Sequence, residues 1–219
     1  MADSSEKTED PTGKRIQDAR SKGQIARSRE LSTTLVLVAS SLMLLLFGSF
    51  IAEALFAISG RMFTLSRDET YDPTHMFSAW GVAITEVSTP VLSFMFVSMI
   101  AGIYGSIALG GYNFTWYSAA PRFSKLNPLS GMKRMFGVNG LVELLKAFAK
   151  FIVIGAMALI SLSLFQDEAL HLDQEIYPLN IFHALDMIEW AFFLLTLGMV
   201  PIALFDVPYQ SYKHNEQMK

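Results

Sequence analysis

The sequence predicts an all-α membrane protein with four long hydrophobic helices, arranged as two helical hairpins joined by a long, apolar cytoplasmic loop. Four apolar stretches alternate with polar segments along the 219 residues, of which 52% are hydrophobic and only 17% are charged. Lys and Arg number seven before Leu31, two in 57–86, six in 110–150, none in 166–189 and two after Asp206. Because short basic segments remain in the cytoplasm, we expect both termini (1–30 and 209–219) and the middle segment to be inside.

The first hairpin, predicted at 31–110, has apolar stretches long enough to cross a bilayer. Leu31–Ala52 holds 22 uncharged residues, or about 33 Å of helix against a hydrocarbon core of ~30 Å. The second stretch is uncharged over 87–121, and its adjacent glycines at 110 and 111 favour a helix end there. Small residues recur on it every four positions and favour close helix packing, against the first helix rather than in a partner groove. They are Ser98, Gly102, Ser106 and Gly110.

The second hairpin, predicted at 146–208, has shorter apolar stretches. Residues 151–166 and 190–205 hold only 16 uncharged residues each, fewer than the usual ~17–25. The third helix must therefore extend through Lys146 and Lys150, on a face that we expect to meet water or protein. The fourth likewise extends back through Asp186 and Glu189 and carries Pro201, which predicts a kink. It ends near Asp206, where a membrane-boundary charge requires a partner, water or snorkelling. We expect other subunits to shield both helices.

The cytoplasmic loop at 111–145 is the segment of greatest functional interest, because so long a connection is either functional or disordered. Its many large apolar residues argue against a solvated linker. We therefore expect it to contact partners, with a short helix starting at Asn127 and Pro128. The residues assigned to these contacts are Phe114, Trp116, Pro121, Phe123, Leu126, Asn127, Pro128, Met132, Lys133, Arg134 and Phe136. The alternative is an interfacial segment whose aromatic side chains lie among lipid head groups.

The sequence lacks the residues that several classes of function require. The sequence has no cysteine, which excludes disulfides and thiolate chemistry, and it has no HExxH, GxSxG or phosphate-loop signature. We expect no catalytic site, no metal and no cofactor. The acidic residues and histidines of 166–189 suit an external loop without requiring a metal. Nucleic acid is not an expected partner, because the basic residues flank membrane segments instead of forming one extended face.

Three stretches of the sequence, taken together, indicate a protein family. They read EDPTGKRIQDARSKGQIARSREL from Glu9, PRFSKLNPLSGMKRMF from Pro121 and FDVPYQ from Phe205. In this order they resemble the FlhB/YscU/SpaS family, and the second stretch is closer to its flagellar branch. The resemblance implies a non-enzymatic inner-membrane component of a type III export gate. Its hairpins would wrap a core of FliP, FliQ and FliR, with FlhA, exported flagellar proteins and membrane lipid as further partners, and its middle loop would help control gate opening.

Members of this family continue into a cytoplasmic domain that cleaves itself at Asn-Pro-Thr-His. The similar stretch here, Asp72 to His75, has Asp in place of the cyclising Asn and falls in an expected outer loop. We therefore expect the chain to be the membrane domain of a longer protein, without autocleavage. The alternatives are an injectisome homologue and a small ion-coupled transporter that uses Asp206. A membrane hydrolase would need a nucleophile and a base at plausible positions.

Overall fold

The computed structural model describes residues 12–21, 23–64, 66–113 and 138–218. The helices are α1 (Gly13–Ser21), α2 (Arg29–Phe63), α3 (Arg67–Tyr71), α4 (Pro73–Ile107), α5 (Val138–His171), a 3-10 helix (Leu172–Gln174), α6 (Leu179–Leu197) and α7 (Met199–Met218). These ranges contain no strand. Four helical stretches are long and apolar enough to cross a membrane. The structure thus confirms the all-α class with four long hydrophobic helices.

The long helices extend well beyond their uncharged stretches. Both α2 and α4 have 35 residues and α5 has 34, which corresponds to about 50 Å of helix. The third apolar stretch is therefore lengthened as expected, by a helix that already begins at Val138 and carries Lys146 and Lys150 along its first turns. Helices of this length can span a bilayer and still place their polar ends in water.

The fourth apolar stretch is divided at a glycine. Helix α6 ends at Leu197 and α7 begins at Met199, with Gly198 between them. Pro201 lies in the first turn of α7 and has no N–H to offer the carbonyl of Leu197, four residues earlier. The expected interruption is therefore present, but it lies one turn before the proline, where the missing hydrogen bond ends α6.

The chain divides into two compact units, each assembled from separated segments. The first comprises the described residues of 1–34, 103–156 and 198–219, and the second comprises those of 35–102 and 157–197. In the second unit, the fully buried Ser41 on α2 lies 2.9 Å from the hydroxyl of Thr196 on α6. Ser40 on α2 lies 2.9 Å from the hydroxyl of Ser98 on α4. Hydroxyl pairs of this kind join apolar helices that have no hydrophobic drive to associate in lipid.

Small residues of α4 face α2 in both units. In the second unit, a Cβ at Gly102 would lie 3.5 Å from Cγ2 of Val36, an ordinary contact. In the first unit, a Cβ at Gly105 would lie only 2.7 Å from Cα of Ser32. Gly105 is buried, whereas Ser106, which the four-residue spacing favours, is exposed. The closest backbone approach therefore involves a glycine that the spacing did not identify.

Substituting Gly105 by Ala is expected to lower the stability of the protein by about 1–3 kcal/mol, because the added methyl group overlaps backbone that cannot move aside cheaply. Gly102→Ala is the matched control, since the same methyl group meets only the end of a valine side chain. Thermal unfolding in detergent, followed by circular dichroism, measures both. Equal melting temperatures for the two variants would contradict the close approach at Gly105.

Candidate functional site: a buried ion-pair cluster

The first unit contains a cluster of charged and polar groups around Asp206 on α7, which is 4% exposed. Its Oδ2 accepts a hydrogen bond from Oγ of Ser28 at 2.6 Å. Its Oδ1 accepts one from Nζ of Lys146 at 2.7 Å and one from Nε2 of Gln210 at 3.3 Å. Both carboxylate oxygens are therefore satisfied and the buried charge has an opposite charge beside it, as burial of an ion requires.

Ser28 is held in place by the start of the first long helix. It immediately precedes α2, and its Oγ accepts the backbone N–H of Leu31 at 3.0 Å. This is an N-cap, in which a serine oxygen satisfies one of the unpaired N–H groups of the first helical turn. The same hydroxyl donates a hydrogen bond to the carboxylate of Asp206. One side chain thus caps α2 and binds the buried carboxylate.

The basic face of α5 meets carboxylates of this chain. Nζ of Lys146 lies 4.6 Å from the ring centre of Tyr209 and 3.4 Å from Oε1 of Glu143. One turn later, Nζ of Lys150 lies 2.5 Å from Oε1 of Glu30 on α2. Lysines four residues apart share one helix face. The three predicted membrane-boundary charges therefore all lie in the first unit, where Lys146 pairs with Asp206 and Lys150 pairs with Glu30.

The start of the predicted gate loop contacts the N-terminal segment within the same unit. Gly111 has a φ of +74° and its N–H donates to the carbonyl of Ile107 at 2.8 Å, which ends α4. Nδ2 of Asn113 then donates to the carbonyl of Arg20 at 2.6 Å. Gly110 lies against Ala26, whose carbonyl oxygen would be 2.5 Å from an added Cβ. The described loop residues are thus packed against the chain that leads into α2.

The predicted contact residues of the loop, from Phe114 to Phe136, all lie outside the described residues, as does the short helix expected from Asn127. What the structure describes is the two flanks of this segment. Residues 110–113 precede it, and α5 follows it from Val138. The first unit contains both flanks, and the ion pairs of Lys146 and Lys150 lie on the second.

The stretch from Asp72 to His75 has a structural function in the second unit. Oδ1 of Asp72 accepts from the hydroxyl of Thr74 at 2.7 Å and from its backbone N–H at 2.9 Å. These hydrogen bonds, the hydroxyl first, hold the pKa of Asp72 below its ordinary value. The carboxylate thereby joins the end of α3 to the beginning of α4.

In the segment 166–189, His183 pairs with two of the acidic residues. Nδ1 of His183 lies 2.6 Å from Oε1 of Glu175, and its Nε2 lies 3.9 Å from Oε2 of Glu168. Within the described ranges, no group of three or more His, Asp or Glu side chains is arranged to hold a metal ion.

The sequence did not indicate the contact that Glu189 makes. The predicted extension of the fourth helix back through Asp186 and Glu189 is confirmed, since α6 begins at Leu179. The carboxylate of Glu189 occupies the space beside Gly48 of α2 that a Cβ would fill. Gly48 belongs to the uncharged stretch of the first helix. A glycine opposite a carboxylate is recognisable only once the two helices are paired.

A family model described as the FlhB HrpN YscU SpaS Family matches residues 5–219. The chain belongs to this family. It is 31% identical over 217 residues to the flagellar biosynthetic protein FlhB of Escherichia coli, covering 99% of this chain and 57% of that protein. Its identity to FlhB of Salmonella typhimurium is 31% over 221 residues, covering 100% of this chain and 58% of that protein. The family match confirms the resemblance inferred from the three sequence stretches.

A third relative is named as a translocation protein and not as a flagellar protein. The Yop proteins translocation protein U of Yersinia pestis is 27% identical over 222 residues, covering 99% of this chain and 60% of that protein. The chain therefore spans no more than three fifths of the length of these curated relatives.

The family match extends over the whole ion-pair cluster. Ser28, Lys146 and Asp206 therefore all lie in the part that FlhB and its relatives share.

Replacing Asp206 by Asn is expected to destabilise the protein by roughly 2–4 kcal/mol, because it leaves the ammonium of Lys146 without its closest anion. The double variant Asp206→Asn with Lys146→Met is expected to recover part of this loss, since it removes the unpaired cation. The measurement is unfolding of the purified protein in detergent, and Glu143→Gln is the control at an exposed pair. A double variant less stable than Asp206→Asn alone would contradict the ion-pair interpretation.

Proposed function

We propose that this chain is a membrane component of a bacterial type III protein export gate of the flagellar branch. The observation that carries the proposal is the family match over residues 5–219. The flagellar branch is supported by 31% identity to two of the flagellar biosynthetic proteins, against 27% for the Yop translocation protein, while other flagellar relatives lie between 26% and 28%. An injectisome component is the second candidate, because that relative also aligns with 99% of the chain.

In this proposal the protein crosses the bacterial inner membrane four times, with both termini in the cytoplasm. Four apolar helices of sufficient length support the number of crossings. The orientation rests on the positive charges, which are concentrated in 1–30 and 110–150 and absent from 166–189.

The hairpins would wrap a FliP, FliQ and FliR core next to FlhA, and the 111–145 loop would lie at the cytoplasmic entrance and help control its opening. Large apolar side chains support this arrangement, because they leave α4 and α5 with surfaces that lipid or neighbouring subunits must cover. Examples are Phe96, Met99 and Tyr104 on α4 and Phe148 and Leu159 on α5, all more than half exposed. The ion-pair cluster would hold the flanks of the loop during transport.

The proposed function involves no catalytic turnover in this region and no coupling ion at Asp206. In the described part of the chain, the carboxylate of Asp206 is already occupied by Ser28, Lys146 and Gln210. A transporter that used this residue would need a free ligand position facing water. The hydrogen-bonded cluster therefore favours a structural role for Asp206.

Leu126→Ala and Phe123→Ala are expected to lower the export of flagellar subunits about tenfold, because each removes an apolar contact worth ~1.4 kcal/mol or more at an interface. The amounts of membrane-bound protein should remain unchanged. Leu170→Ala is the control, as it truncates a side chain that is 74% exposed at the end of α5. Secreted subunits in the medium and swimming motility are the measurements.

Photocrosslinking in intact cells from positions 123, 126 and 136 separates a partner contact from a lipid contact. Capture of several export-gate subunits supports the proposed loop. Capture of lipid alone, together with normal secretion by the alanine variants, contradicts it.

The absence of cysteine from the chain allows a direct test of orientation. Asp173→Cys in the expected outer loop should react with a membrane-impermeant maleimide in intact spheroplasts. Gln17→Cys in α1, which is also exposed, should react only after lysis. The reverse pattern would overturn the proposed topology.

A further inference from the structure

The connection between α5 and α6, residues 172–178, is joined to both helices by one histidine. His183 lies in the first turns of α6, within the second unit. Its Nδ1 is 2.6 Å from Oε1 of Glu175, which belongs to the connection. Its Nε2 is 3.9 Å from Oε2 of Glu168, which belongs to α5. One imidazole ring thus contacts carboxylates of two segments other than its own helix.

These contacts require a particular protonation state of the ring. An ionised carboxylate only accepts hydrogen bonds, and a neutral imidazole has a single N–H, so its other nitrogen would turn a lone pair toward a negative charge. Asp186, further along α6, adds a third negative charge next to the ring. The segment 166–189 contains no Lys or Arg that could balance these groups. Only the doubly protonated, cationic form of His183 therefore suits both of its carboxylate neighbours.

The carboxylate of Glu175 depends on His183. Its side chain is only 30% exposed, and its Oε2 is buried without a hydrogen bond from the described residues. Within these residues, the ring of His183 is the one hydrogen-bond donor to this side chain. A partly buried anion is costly when no opposite charge lies beside it. Loss of the proton from His183 therefore weakens the contact that holds Glu175 in place.

The connection is otherwise attached through contacts near the surface. Its 3-10 helix, Leu172–Gln174, contacts α6. Tyr177 lies with its ring centre 6.4 Å from that of Phe56 on α2, but Tyr177 remains 68% exposed. Segments with few buried apolar contacts are those that open locally at low cost in free energy. The position of the connection thus depends strongly on the charged contact two residues before Tyr177.

We propose that His183 is a pH-operated clamp, which holds the connection 172–178 against α5 and α6 while its imidazole is protonated and releases it when the proton leaves. The contact with Glu175 and Glu168 is strongest at acidic pH, where the ring carries its charge. It weakens as the pH rises through the titration of the ring, because only the protonated form attracts the two carboxylates. Release also frees Tyr177 from Phe56. The clamp would respond to the pH outside the membrane, which rests on the topology proposed above.

Hydrogen–deuterium exchange of the purified full-length protein in lipid nanodiscs tests the clamp at about pH 5 and about pH 8.5, on either side of the ordinary histidine pKa of about 6.5. Protection is expressed relative to the unfolded chain at the same pH. The reporters are the backbone amides of Glu175, Leu179 and Ile181, which donate to carbonyl groups in the connection. Their protection is expected to be about tenfold lower at the higher pH, because a hydrogen bond from an ionised donor is roughly twice as strong as a neutral one.

Two variants separate the charge of the ring from its size. His183→Gln keeps a hydrogen-bond donor but cannot become charged, and Glu175→Gln removes the anion that the ring attracts. In both variants the protection of the three amides should not change between the two pH values. A pH dependence that persists in either folded variant overturns the proposal, and so does equal protection at both pH values in the wild-type protein.

The matched control is His171→Gln at the end of α5. Nδ1 of His171 lies 2.6 Å from the backbone carbonyl oxygen of Asp167, which carries no charge, so this variant should keep the wild-type pH dependence. The amides of 141–150 on α5 should show no pH dependence of their protection. A loss of the same size there indicates global opening and contradicts a local clamp. Because the measurement uses purified protein, its outcome does not depend on the export function.

Discussion

The carboxylate of Asp206 imposes the constraint to which the rest of the first unit responds. An ion buried among apolar helices costs several kcal/mol unless an opposite charge and hydrogen-bond donors surround it. Its partners come from three places in the chain: the N-cap of α2, the first turns of α5, and the next turn of α7. Satisfying one carboxylate therefore orders segments that are far apart in sequence, in the unit that contains both described flanks of the loop to which we assign contacts with the export gate.

Apolar helices in a membrane cannot associate through the hydrophobic effect, because lipid offers the same apolar environment as a neighbouring helix. Small residues supply other means of association here. Gly105 allows the backbones of α4 and α2 to approach closely in the first unit, and the hydroxyl pair of Ser41 and Thr196 joins α2 to α6 in the second. Large apolar side chains remain on the outside of α4 and α5. This distribution is suited to a protein that packs internally through small and polar groups and presents its large apolar groups to lipid or to other membrane subunits.

Charged residues have different consequences in the two units. In the first, Asp206 pairs with Lys146 and Glu30 pairs with Lys150. In the second, Glu86 shares only one of its oxygens with Arg61, and the other receives no hydrogen bond from the described residues. A satisfied cluster stabilises one arrangement of the segments that contribute to it. The cluster of the first unit therefore supports a structural role.

The sequence by itself determined the membrane class, the four long helices and the family, because these depend on uncharged length, charge distribution and local motifs, all of which are properties of consecutive residues. It also indicated that Lys146, Lys150 and Asp206 require partners or water. Only the tertiary structure decided which partners they have, since Ser28 and Asp206 are 178 positions apart. It likewise decided that Gly105 rather than Ser106 faces α2, and that Glu189 lies against Gly48. The physical reason is that helix rotation and pairing, which no local pattern specifies, determine which side chains meet.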